Sequence, residues 1–178
     1  MATKMEKLAK QAKARDEAIQ AKKAYVYTKA EFAAEMEWAQ KSLTADIEKF
    51  KEKFAKNPME ALRWGDDTFE KAARLEVLGF LKYELENQAQ FMADRKMTER
   101  EWAESLIKAF QSQKDRAVTD IARMSGSTSP CSNLSDKARA AAWIWMTGSG
   151  WDIGPLLKFE RAYLTDAQPV AGQPVYEA

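Results

Sequence analysis

The chain reads as an all-α protein, on three observations. Phe32, Met36, Ala39, Leu43, Ile47, Phe50 and Phe54 recur at steps of three and four, the period of a helix with one buried face. Two further runs with helical spacing follow, over residues 66–95 and 99–124. Two Thr-x-x-Glu sequences, Thr28 to Glu31 and Thr98 to Glu101, stand where the first and third runs begin, and such a box closes a helix N-terminus on itself. The architecture predicted is an antiparallel helical bundle of three long amphipathic helices plus short capping helices, with a basic N-terminal helical arm and an extended C-terminal tail. The divisions fall at 1–27 for the arm, 28–164 for the bundle and 165–178 for the tail.

Taken in order, residues 3–24 carry seven basic against three acidic residues, a local charge of +4. Met5, Leu8, Ala12, Ile19 and Val26 approximate a heptad seam, which Arg15 and Lys22 interrupt, so the arm is expected to be helical when docked. The helix from Lys29 to Lys56 would run about 42 Å. Asn57 and Pro58 then stop it and start a short helix over 58–64 closed by Gly65, with Leu62 and Trp64 available to bury. The run 66–95 is apolar around more than half its circumference between 75 and 81, which predicts a central element packed from two sides, with Gly79 admitting a close neighbour. Residues 66–104 hold ten acids and six bases, opposite in sign to the arm.

Thr98 and Glu101, with Met97 placed to pack on Trp102, define the start of the third long helix, which ends near Ser125-Gly126. Residues 125–134 have loop composition, and a short helix from about Ser135 is apolar nearly all round through Ala138–Met146, so it is expected to be buried. Gly154-Pro155 begins a last helix, and Gln-Pro-Val occurs twice in the extended tail.

Composition narrows the function. The chain has 178 residues and 28 basic against 27 acidic side chains, so no overall field draws it to nucleic acid or an anionic membrane. It contains no histidine, which removes the usual general base, the Ser-His and Cys-His pairs and the commonest transition-metal ligand. There is no Gly-rich phosphate loop, Cys-x-x-Cys pair or calcium loop. No enzyme, cofactor, metal or small-molecule substrate is therefore expected; catalysis would need a carboxylate pair such as Glu84 with Asp94 or Glu76 meeting in a pocket. Cys131, the single cysteine, lies in the loop, where a nearby helix start could activate it, but without a histidine to serve as base. One cysteine and no leader-like segment favour a cytoplasmic or intracellular-assembly setting, and no apolar run is long enough to span a bilayer.

The expectation is a non-enzymatic interaction protein, a helical subunit or small binder or inhibitor within a larger assembly. Helical chains of this make-up occur among phage and bacterial accessory proteins, an analogy of type that no residue carries. A protein partner or homo-oligomer is expected, with Trp143, Trp145 and Trp151 as candidate anchors, since tryptophan is enriched in binding hot spots. Burial of these residues as a cap over the core is the competing reading. The alternative function is a nucleic-acid accessory protein whose Lys4, Lys7, Lys10, Lys13 and Arg15 contact phosphates, or an acidic partner, without reading bases.

Overall fold

The start of the first helix shows how local chemistry places the elements. Thr28 accepts the Glu31 backbone N–H through Oγ1 at 3.1 Å, and the Thr28 N–H donates to Glu31 Oε2 at 2.7 Å, so the capping box is complete. Helix α1 then runs Lys29–Lys56. The structure, a computed structural model, describes residues 10, 13, 14, 17, 25–124, 130–148 and 153–165. Among these the only regular elements are helices: α2 (Pro58–Ala61), a 3-10 turn (Leu62–Trp64), α3 (Gly65–Glu86), α4 (Gln88–Arg95), α5 (Glu99–Met124), α6 (Pro130–Thr147) and α7 (Pro155–Leu164). Lys10, Lys13, Ala14 and Glu17 of the arm are helical, and the Gln-Pro-Val tail lies outside the described residues.

Several boundaries differ from the sequence reading, each for a local reason. Gly65 does not close a helix. It has αR geometry, with φ −58° and ψ −44°, and the 3-10 turn feeds directly into α3. The run 66–95 is broken at Asn87, whose side-chain amide donates to the Tyr83 carbonyl at 2.8 Å and competes with the helical ladder there. The loop predicted through residue 134 ends earlier, because Pro130 already occupies the first helical position of α6, where its missing N–H costs nothing. Cys131 therefore sits in the first turn of a helix, with its side chain outside the described set.

Helix α4 ends in a Schellman motif. The Met97 N–H bonds to the Met92 carbonyl at 3.0 Å and the Lys96 N–H to the Ala93 carbonyl at 3.3 Å, with Lys96 left-handed at φ 53°. Only glycine adopts that conformation without a steric penalty. Lys96→Gly is accordingly expected to raise the free energy of unfolding by about 1 kcal/mol in urea denaturation; an unchanged midpoint would contradict this account.

Packing departs from a trio of long helices in one respect. Pairs Asp46–Lys71 at 3.0 Å and Gln40–Lys82 at 3.2 Å run in opposite directions along the two chains, so α1 and α3 are antiparallel neighbours. Helix α5, however, joins the assembly through α6 and α7. Helix α6 makes the most extensive contacts, with α3 and α5 on its two sides, because Ala138, Ala140 and Ala142 are buried there and keep its wall thin. The short apolar helix is thus the centre of the fold, and its expected burial holds.

Two clusters make the core. In one, Phe32, Trp102, Phe159 and Tyr163 meet at ring separations of 4.5–6.3 Å, joining the first turns of α1 and α5 to α7. In the other, Val77, Leu78 and Leu81 of α3 and Leu106 and Phe110 of α5 close on Ala142, Trp143 and Met146 of α6. A close backbone approach does exist, but at Gly154 rather than Gly79. A Cβ at 154 would stand 2.4 Å from Gly148 N and the Trp145 carbonyl oxygen, so any side chain would push α7 off the end of α6. Segment Tyr25–Thr28 is tied to α7 by Arg161, whose guanidinium donates to the Tyr25 carbonyl at 3.1 Å, and Lys158 pairs with Glu35 nearby.

Carboxylates hold both capping boxes. The Thr28 backbone N–H holds the Glu31 carboxyl below the usual range, with Tyr25 and Thr28 hydroxyls adding to it against a smaller desolvation cost. Glu101 is lowered in the same way by Thr98, and Glu99 by Lys29 and then Gln88. Depressed carboxylates contribute stability that is complete above the ordinary glutamate value of about 4.3 and is lost as pH falls through their folded values. Urea midpoints should therefore fall as pH drops below about 5, and the double variant Glu31→Gln, Glu101→Gln should show a visibly flatter profile. An identical slope in both chains would remove the capping carboxylates as its cause.

Candidate interaction surface

Helix α3 carries apolar side chains on two opposite sides. Val77, Leu78 and Leu81 are buried against α1 and α6. At 100° per residue the opposite side carries Phe69, Ala72, Glu76, Gly79, Phe80 and Tyr83. Phe69 is 53% exposed, Phe80 50% and Tyr83 57%. Gly79 is also exposed, and a Cβ there would meet nothing within 4 Å. The prediction of an element covered from two sides is met by α1 and α6, yet both lie on the inner half of α3. The outer apolar half faces outward, and the close neighbour expected at Gly79 is not part of this chain's described fold.

Two aromatics of the outer face touch rings of neighbouring helices. Phe80 stacks on Trp143 with rings 6.5 Å apart and 5° from parallel, and Tyr83 lies 6.0 Å from Phe91 of α4. Ile144, which follows Trp143 on α6, is 40% exposed. The charged members of the face are Glu76, Lys82 and Glu86. Lys82 lies 3.8 Å from Glu86 and donates to Gln40, while Glu76 makes no ion pair with the described residues.

Of the tryptophans named as candidate anchors, two are described, Trp143 and Trp145, both on α6. Trp143 is 7% exposed, held edge-on to Phe110 at 5.4 Å and under Phe80, which leaves it no face for a partner. On the central helix Trp143 fills the space between α3 and α5. Trp145 is half-buried, with the Arg74 guanidinium 5.5 Å from its ring centre. Trp151 lies outside the described residues. Of the basic candidates, Lys10 and Lys13 are exposed and Lys13 sits 3.8 Å from Glu17; Lys4, Lys7 and Arg15 lie outside the described residues.

Other surface features offer less. Trp38 is 64% exposed on the side of α1 away from its buried stripe, and its place off the three-four spacing was the signal that could have marked it. Phe54, expected in the buried stripe, is 42% exposed because residues 51–60 project beyond the helices that cover α1. Leu62, available to bury on the sequence reading, is 57% exposed. Asn57, Met59, Glu60, Leu62 and Arg63 line an open depression of about 550 Å³ made wholly by one turn of chain, too shallow to enclose a ligand. Among the described residues no His/Cys/Asp/Glu group could hold a metal ion. Asp94, one of the carboxylates considered for catalysis, accepts from Gln90 at 2.8 Å, and Glu76 points outward on α3. No described helix is long and apolar enough to cross a membrane.

No protein-family model matches the chain, and neither a curated protein nor a solved structure matches it.

Proposed function

We propose that this protein works by contact rather than by catalysis, and that the outer face of α3 is where a protein partner binds. One observation carries the reading: α3 is apolar on both sides, and the described residues bury only one of them. Exposing Phe69, Phe80 and Tyr83 together on one helix face is costly in water, at about 25 cal/mol per Å² of apolar surface, unless something covers them. Aromatic residues flanked by a few charges are the make-up of a binding centre with a polar rim. The absence of histidine from the whole chain supports a non-catalytic role.

A benzophenone side chain placed at Phe69 or Tyr83, and at Gln113 as control, tests this in the cells that express the protein. Ultraviolet crosslinks to a defined protein from 69 and 83, and not from 113, are expected. Crosslinking that is absent, or equal at all three positions, would sink the proposal.

A further inference from the structure

We infer that Glu31, Glu35 and Glu99 form an acid-sensitive latch, and that protonating them releases the segment Tyr25–Thr28 from α7 while the centre of the bundle stays folded. This latch lies apart from the α3 face and does not depend on it. Residues 25–28 belong to no helix, so no helical ladder holds them in place. Tyr25 and Tyr27 are nevertheless each 6% exposed, with their rings 4.7 Å apart. A segment closed by side chains at the edge of a fold opens at a lower free energy than the core does.

Three carboxylates and three cations gather at this closure. Glu31 accepts from the Tyr25 hydroxyl and from the Thr28 backbone N–H, both at 2.7 Å, and so ties the segment to the first turn of α1. Glu35, one turn further on, pairs with Lys158 of α7, whose ammonium also stands 5.6 Å from the centre of the Tyr27 ring. Glu99, at the start of α5, pairs with Lys29 at 2.5 Å and accepts from Gln88 of α4 at 2.9 Å. Lys29 in turn lies 4.8 Å from the centre of the Tyr163 ring on α7. Arg161 completes the set by donating to the Tyr25 carbonyl at 3.1 Å. Of the charges next in sequence to Glu99, Arg100 pairs with Glu104 on its own helix and Glu101 closes the Thr98 box.

Protonating the three glutamates takes away the negative partners of Lys29 and Lys158 and the charge that strengthens the Tyr25 bond. It leaves Lys29, Lys158 and Arg161 as like charges around the segment. The Thr28 N–H holds the Glu31 carboxyl below its usual range, and Lys29 does the same for Glu99. Closure is therefore complete above the ordinary glutamate value of about 4.3 and is lost as pH falls through the folded values. Burial of the two tyrosine rings does not change with acid, so acid shifts the balance between closed and open forms without abolishing the closed one. Residues 3–24, with their local charge of +4, are continuous with Tyr25, so opening also frees the root of the basic arm.

Hydrogen exchange read by mass spectrometry on the full chain tests this, with peptides spanning 25–32 and 138–147 and with exchange times corrected for the intrinsic effect of pH. Between pH 7 and pH 4 the protection of 25–32 is expected to fall about tenfold or more, while 138–147 keeps its own. The double variant Glu35→Gln, Glu99→Gln leaves the Thr28–Glu31 box whole. It is expected to lower the protection of 25–32 already at pH 7 and to flatten its pH dependence. Equal protection of 25–32 at both pH values would overturn the latch, and so would loss of protection in both peptides together, which would place the effect of acid on the whole fold. A double variant that tracks the wild type at every pH would also overturn it, leaving only the capping box to titrate.

Discussion

Replacing Trp102 with alanine is expected to lower the free energy of unfolding by about 4 kcal/mol. Trp102 is 1% exposed and packs edge-on against Phe159 at 5.6 Å and Tyr163 at 5.8 Å, at the point where α1, α5 and α7 converge. Truncation removes the largest fully buried side chain of the core and leaves a cavity that three separate helices would have to collapse to fill. Native domains are stable by only about 5–15 kcal/mol, so this change consumes much of the margin. Trp102→Phe should cost markedly less than alanine, for a second reason as well: the indole Nε1 is buried without a hydrogen-bond partner, and phenylalanine removes that unpaired donor. Urea denaturation of the three chains decides it. A loss under about 1 kcal/mol for alanine, or a larger loss for phenylalanine than for alanine, would mean that this aromatic cluster does not hold the helices together.

Trp143→Ala and Tyr83→Ala should separate core from surface. Trp143 fills the space between Phe110 of α5 and Phe80 of α3, so its removal is expected to cost about 3–5 kcal/mol and to loosen α6 from both neighbours. Tyr83, more than half exposed, should change stability by less than about 1 kcal/mol while weakening association at the α3 face by about thirtyfold or more. Thermal unfolding and a binding measurement on the same preparations give both readings. The opposite pattern, a stable Trp143→Ala chain that no longer associates, would return Trp143 to the surface and refute the placement of α6 at the centre.

Much of this was written locally. The Thr28 and Thr98 boxes, the three-four spacing of Phe32 to Phe50 and the apolar character of Ala138–Met146 involve residues within a turn or two of each other, so helix starts, helix type and the burial of α6 are legible without knowledge of the fold. The Asn87 break is equally local, an amide reaching back four residues to Tyr83, and was hidden only by an apolar rhythm that continues through it. The excess apolar circumference of residues 75–81 was also visible, and it is the sequence trace of the candidate site.

What the sequence by itself determined, then, is a set of helices and which of their sides avoid water. Only the tertiary structure decided which neighbour each side meets. Three buried alanines let α6 stand between α3 and α5; α1 and α6 bury the inner side of α3, so Phe69, Phe80 and Tyr83 stay about half exposed while Trp143, no less apolar, is enclosed. Periodicity reports a tendency to bury, but whether a side chain is buried depends on helices far away in sequence, and a hydrophobic force without direction does not name them.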